Sequence, residues 1–168
     1  FREEAVAGVL AAVRRQRLSG GGLVIHSICM TLASFDWMMS LAPHWFSTIY
    51  GMLIVAGQAV GSMAFIIALL AWLARREPMK EAVAPVHYHD LANLMLAFVI
   101  IWGYFSFSQY LLIWSGNLPE EIGWYMHRLQ FGWEFLGMAL VIFHFAVPFT
   151  LLLSRAIKRE GNTIMKVC

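Results

Sequence analysis

The sequence predicts an all-α membrane protein: a bundle of four transmembrane helices with both termini in the cytoplasm. Of its 168 residues, 60% are hydrophobic and 13% are charged, whereas a soluble domain carries about 25% charged residues. The apolar residues form continuous runs long enough to cross a bilayer core of about 30 Å as helices. Because these runs do not alternate with polar residues, they favour helices over a membrane β-barrel.

Four apolar runs define the predicted spans, and together they occupy residues 18–155. The runs cover residues 18–35, 45–73, 91–114 and 129–153. Residues 1–17 are expected to form a cytoplasmic or interfacial segment. Residues 156–168 are expected to form a cytoplasmic tail that is truncated, since the chain reads as part of a longer subunit.

Basic residues set the predicted orientation. Clusters of Arg and Lys precede the first span, separate the second from the third, and follow the fourth. The clusters are Arg14, Arg15 and Arg17; Arg75, Arg76 and Lys80; and Arg155, Lys158, Arg159 and Lys166. The positive-inside rule places all three in the cytoplasm. The other two connections are outer, and tryptophans gather near them in the pattern of an interfacial belt: Trp37, Trp45, Trp114, Trp124 and Trp133.

Several functional classes are disfavoured by composition. A net charge of +2 is too small to indicate nucleic-acid binding, so lipid is the expected surrounding partner. Cys29 and Cys168 are too few and too far apart for a disulfide framework or an iron–sulfur cluster, and we expect no bound metal.

Polar side chains line one side of the third predicted span. At about 100° per residue they share a stripe about 60° wide. The stripe consists of Asp90, Asn93, Tyr104 and Ser108, with His87 and His89 at its cytoplasmic end. Since polar groups are costly against lipid, the stripe should face protein or water. It is either a proton path or a set of interhelical hydrogen bonds, and Asp90 could instead cap the start of the helix.

The fourth span carries Glu134 and His144 at membrane depth, which makes both functional candidates. Pro148 cannot donate a hydrogen bond to the carbonyl of His144, so a kink is expected there. Both residues could join the proton path, or His144 could simply pack at the kink. His26 and His144 are the two histidines well inside the membrane, so a b-type haem is a less favoured alternative.

Other residues are candidates for helix packing and for contacts with an external partner. Gly57 and Gly61 of the second span are predicted to pack helices closely. We expect the hydroxyls of the first span to bond locally. The candidates for contact with an external partner at the outer turns are Asp36, His44, Trp45, Glu120, Glu121 and Arg128. A pair between Asp36 and Arg128 would join the two outer connections.

Two regions of the sequence resemble a known family. One is the string SFDWMMSLAPHWFSTIYG at 34–51, and the other, between 87 and 121, contains the strings HYHDL, FSFSQYLLIW and NLPEE. Both regions are similar to the F subunit of alternative complex III, the bacterial quinol:cytochrome c oxidoreductase. That subunit is a polysulfide-reductase-like (NrfD-like) integral membrane protein. The family pattern usually has Glu where this chain has Ala42, so any role for that carboxylate is absent here.

The resemblance implies a subunit of the bacterial plasma membrane that is itself non-catalytic and binds no haem or cluster. Family members have about twice as many helices, in two four-helix bundles. The implied partners are a paralogous NrfD-like membrane subunit and external iron–sulfur and cytochrome c subunits, which carry the clusters and haems. The implied roles are a proton path or a quinone contact. The alternative is a structural anchor for the external redox subunits.

Overall fold

A computed structural model describes residues 2–77 and 79–154, and every regular element among them is helical. The elements are α1 (Arg2–Trp37), a 3₁₀ turn (Met39–Leu41), α2 (Tyr50–Leu73), α3 (Met79–Ala82), α4 (Pro85–Gly116), α5 (Pro119–Arg128), α6 (Trp133–Ala139), a π-helical turn (Leu140–Ala146) and α7 (Val147–Leu152). The last three run on as one membrane-length helix, the fourth span. With α1, α2 and α4 this gives four helices long and apolar enough to cross a membrane, which confirms the predicted fold class.

The four spans alternate in direction. The start of α2 lies against the end of α1, where Gly51 meets Thr31. We call the end with the 38–49 and 117–132 connections the tryptophan-rich end, and the opposite end, with the 74–84 connection, the basic end. Two of the predicted basic clusters therefore lie on the same side of the bundle. The third, after the fourth span, lies outside the described residues.

The bundle is centred on α2 and α4, with α1 packed on α2 and the fourth span packed on α4. A cluster of buried side chains, here called the core cluster, joins three of these helices. Its members are Val60, Met63, Ile67, Ala71, Tyr88, Ala92, Met95, Val99 and Leu152. The cluster begins near the basic end and reaches the middle of the bundle. Its surfaces are almost entirely hydrocarbon, so close packing rather than hydrogen bonding holds this half together.

Two spans are longer than the sequence predicts. The structure has α1 helical from Arg2, although Gly20, Gly21 and Gly22 each cost about 1 kcal/mol of helix propensity. In lipid a helix is the one local way to satisfy these backbone groups, so the glycines are tolerated. The span α4 begins at Pro85, whose missing N–H suits the first helical position.

The position of Asp90 follows from the early start of α4. The residue before the helix is Ala84, and Asp90 lies in the second turn. The interpretation of Asp90 as a helix cap is therefore wrong, because the unpaired N–H groups belong to the first turn.

The second outer connection contains a helix, α5, that the sequence analysis did not predict. Residues typical of the start and the end of a helix are nevertheless present there in the sequence. Pro119 opens α5, Glu120 and Glu121 lie in its first turn, and Arg128 lies in its last. These charges match the helix dipole at both ends.

The predicted irregularity near His144 is a π-helical turn. In this turn the N–H of Val147 bonds to the carbonyl of Ile142, five residues earlier. Pro148 has no N–H for the carbonyl of His144, and a widened turn is one way for a helix to accommodate such a loss.

The glycines that bring helices together differ from those predicted. Gly57 does pack, since a Cβ there would lie 3.4 Å from Nε1 of Trp102. A Cβ at Gly61 would meet nothing within 4 Å, so its predicted packing role is wrong within the described residues. The closest approaches are at Gly51, against Thr31, and at Gly103, against the ring of Phe145.

These contacts predict a difference among three alanine substitutions. Gly51→Ala and Gly103→Ala should each destabilise the protein by about 1–3 kcal/mol, the usual cost of overpacking. Gly61→Ala should be neutral or slightly stabilising, because the added methyl meets open space and alanine favours helix. Thermal unfolding in detergent compares the three, and equal midpoints for all of them would contradict the packing described.

Candidate functional site

The polar stripe of α4 points away from the rest of the chain. The buried face of α4 carries Tyr88, Ala92, Met95 and Val99, about 180° around the helix from the stripe. The Asp90 side chain is 71% exposed. The expectation that the stripe faces protein is therefore not met by any part of the chain that the structure describes.

The stripe residues differ in exposure along α4. His87, Asp90, Asn93 and Tyr104 are exposed, whereas His89 and Ser108 are half-buried. Tyr104 lies near the middle of the span and is 65% exposed. A phenol at this depth has no water to bond with unless another polar surface covers it.

Three members of the stripe interact at the basic end. Nδ1 of His89 lies 3.5 Å from Oδ1 of Asp90 and 3.3 Å from Nδ2 of Asn93. This single nitrogen accepts from the amide when it carries no proton and faces the carboxylate as an ion pair when it is protonated. The imidazole and the carboxylate are the groups of this trio that can take up and release a proton.

His144 lies away from the stripe. Its ring lies edge-on to Trp102, with 4.6 Å between the ring centroids. On α4, Trp102 is about 120° around the helix from Asp90. One oxygen of Glu134, Oε2, is buried without a hydrogen-bond partner among the described residues. The extension of the stripe through Glu134 stays a prediction.

Two cavities flank α2 near the middle of the membrane. One, of about 390 Å³, includes His144 and Pro148 in its lining. The other, of about 560 Å³, brings together His26, Gln58 and Ser62. Gly61 and Phe65 line both. The two histidines thus belong to different cavities, so the structure provides no shared space in which they would hold a haem from both sides.

The two outer connections are joined by aromatic rings. Trp45 of the first connection stacks on Trp124 of α5, with centroids 4.2 Å apart and planes 12° apart. Tyr50 meets Trp45 edge-on at 5.3 Å. The guanidinium carbon of Arg128 lies 3.4 Å from the centroid of the Trp124 ring. We call these four residues the aromatic stack.

The aromatic stack replaces the predicted pair between Asp36 and Arg128. Nη1 of Arg128 donates a hydrogen bond to the carbonyl of Trp124 at 3.1 Å. Asp36 is exposed, and its backbone carbonyl accepts a hydrogen bond from Ser40. Neither carboxylate nor guanidinium approaches the other among the described residues, so the predicted salt bridge is wrong. Cation–π contact with an electron-rich indole takes its place.

The remaining outer-turn candidates divide by exposure. Trp45 is buried at 4% exposure and so belongs to the interior rather than to an interfacial belt. Asp36, His44 and Glu120 are exposed, and Glu121 is half-buried. The exposed carboxylate of Glu120 on α5 is therefore accessible to an external partner. Burial raises the pKa of nearby Tyr125, although the positive charge of Arg128 opposes this shift.

The hydroxyls of α1 behave as predicted. Ser27 bonds to the carbonyl of Leu23 at 2.8 Å, Thr31 to that of Ser27 at 2.8 Å, and Ser34 to that of Thr31 at 2.7 Å. They are satisfied within their own helix.

Sequence reasoning missed the most deeply buried polar side chain of α4. Gln109 is 3% exposed, although it is not among the predicted residues of the stripe. Its position about 100° from Asp90 was the available signal. Among the described residues, no three His, Cys, Asp or Glu side chains are placed to hold a metal ion.

Neither the comparison with protein-family models nor the search of curated proteins gave a match. The resemblance to alternative complex III therefore rests on the residue strings themselves.

The aromatic stack predicts that Trp124 contributes to stability. Trp124→Ala removes the stacking partner of Trp45 and the surface under Arg128. We expect a loss of about 2–4 kcal/mol, near the range for truncating large aromatic residues. Thermal unfolding measures the effect. Trp114→Ala is the matched control, because Trp114 is 66% exposed at the same end, and an equal loss in both variants would contradict the role of the stack.

Proposed function

We propose that the chain is an integral membrane subunit of a quinol-oxidising respiratory electron-transport complex, of the alternative complex III type. In this proposal the polar face of α4 contributes a proton path, and the chain is not itself catalytic. The observation that carries the proposal is the outward direction of that face. His87, Asp90 and Tyr104 are all exposed, on a helix that is otherwise suited to lipid.

The outward face supports a membrane-embedded partner. Polar and ionisable groups at membrane depth normally face protein or a water-filled cavity. Since α4 turns them away from its own chain, a second membrane protein is the natural cover. The resemblance supplies a candidate, a paralogous NrfD-like subunit. Protons would then move along the seam between the two proteins, starting from His87, His89 and Asp90 at the basic end.

The tryptophan-rich end supports contact with external subunits. The aromatic stack fixes the two outer connections to each other, and α5 presents Glu120 on the surface. External iron–sulfur and cytochrome c subunits are the partners we propose for this end. The lipid bilayer surrounds the remaining exposed apolar side chains, in the bacterial plasma membrane.

A structural anchor is the second candidate, and the aromatic stack favours it. An anchor needs a rigid outer platform and no proton chemistry, and the stack provides such a platform. The quinone contact stays a prediction; its most suitable place is the α1–α2 cavity, where His26, Gln58 and Ser62 meet.

Asp90→Asn separates the two candidates. The amide keeps the size and hydrogen bonds of the side chain but cannot carry a proton, so proton-coupled quinol oxidation should slow by about tenfold or more. Proton uptake and turnover of the intact complex in vesicles give the measurement, with gel analysis to confirm assembly.

Glu77→Gln is the matched control, because Glu77 is an exposed carboxylate at the same end of the bundle and lies outside the stripe. We expect normal turnover in that variant. An assembled Asp90→Asn complex with unchanged proton uptake would refute the proton path and leave the anchor.

A further inference from the structure

Buried side-chain atoms without a hydrogen-bond partner are concentrated in one half of the bundle. The described residues contain five such atoms: Nε1 of Trp45, Oε1 of Gln58, Oγ of Ser106, Oε1 of Gln109 and Oε2 of Glu134. Trp45 lies in the first outer connection, and Glu134 is the second residue of the fourth span. The other three lie about 10–15 Å from the tryptophan-rich end, at 1.5 Å per residue.

The half toward the basic end has a different character. There the interior is the core cluster, in which Ile67, Ala92 and Val99 are fully buried. Its side chains are hydrocarbon apart from a tyrosine hydroxyl and two thioethers. The bundle interior thus carries unpartnered polar atoms toward one end and a hydrocarbon cluster toward the other.

The unpartnered atoms require a ligand. A buried polar atom without a hydrogen bond costs about 1–3 kcal/mol, and more where hydrocarbon surrounds the protein. Gln109 is 3% exposed, so neither lipid headgroups nor bulk solvent reach it. Water is small enough to fit and makes two to four hydrogen bonds with such groups.

The arrangement on α4 suits a bridging molecule. Ser106 and Gln109 are three residues apart, about 60° around the helix, and therefore neighbours on one face. The hydroxyl both donates and accepts, and the amide oxygen accepts. A single water can bond to both and still have capacity for a third group.

We propose that ordered waters bind inside the tryptophan-rich half of the bundle, held by Ser106, Gln109, Glu134 and Trp45. The core cluster bounds this hydrated region on the side of the basic end. The site is separate from the polar stripe, because Gln109 and Ser106 lie about 100° and 160° around α4 from Asp90. The proposal does not depend on the proposed function, since it follows from buried atoms rather than from proton transfer.

X-ray radiolytic labelling of the full chain in lipid nanodiscs tests the proposal. Radicals formed from bound water oxidise the side chains beside it, and mass spectrometry locates the products. Trp45 and Ile113 are 4% and 7% exposed, and Met63, which lines neither of the two cavities, is 8% exposed. Burial alone predicts that all three are protected, with the oxidation-prone thioether labelled first.

Internal water predicts the reverse order. Trp45 and Ile113 should be labelled several-fold faster than Met63, although methionine is intrinsically more reactive. Labelling of Trp45 and Ile113 no faster than of Met63 would overturn the proposal.

Gln109→Leu provides an independent check. It removes the deepest acceptor at nearly constant volume, so labelling of Ile113, one turn away on the same face, should fall several-fold. Labelling of the exposed Trp114 should not change. An unchanged rate at Ile113 in this variant would count against a water held by Gln109. If the variant fails to fold, the comparison of Trp45 with Met63 in the natural sequence still decides.

Discussion

Every polar atom at membrane depth needs a partner, and this constraint governs how the chain is arranged. The backbone meets it by forming helices, which is why α1 runs through three consecutive glycines. The hydroxyls of α1 meet it by bonding to carbonyls one turn earlier. Polar groups that lack a partner or a covering surface within the chain indicate where another molecule must contact it.

Such polar groups form two separate sets on α4, about 100–160° apart around the helix. The outward set contains Asp90 and Tyr104, both exposed, where a neighbouring membrane protein would supply a covering surface. The inward set contains Ser106 and Gln109, whose buried oxygens we propose bind water. One helix thus carries polar groups directed toward two different surroundings.

The two ends of the bundle are held by different forces. At the basic end the core cluster packs hydrocarbon against hydrocarbon, as lipid-embedded helices do when small residues allow close approach. At the tryptophan-rich end the aromatic stack joins the connections, with Trp45 buried beneath Trp124 and Arg128 above it. The stack explains how the outer surface keeps a fixed shape without a salt bridge between the connections.

The sequence predicted the four spans because continuous apolar length depends on local composition alone. It also located the stripe of α4, since helical geometry fixes which residues share a face. It did not predict which way that face points, because α4 is apolar over most of its surface and packing determines which helices it contacts. The predicted packing role of Gly61 was wrong for the same reason, since the spacing of glycines does not show what lies opposite them. The stack between Trp45 and Trp124 joins residues almost eighty positions apart, which spacing does not reveal.

The most direct test of this account is what covers Tyr104. A photoreactive benzoylphenylalanine placed at Tyr104 of the protein in its native membrane should crosslink mainly to another membrane protein. The same probe at Ile28, an exposed apolar position on α1, should react mainly with lipid. If the probe at Tyr104 reacts only with lipid, as at Ile28, the face has no protein cover and the account of α4 is contradicted.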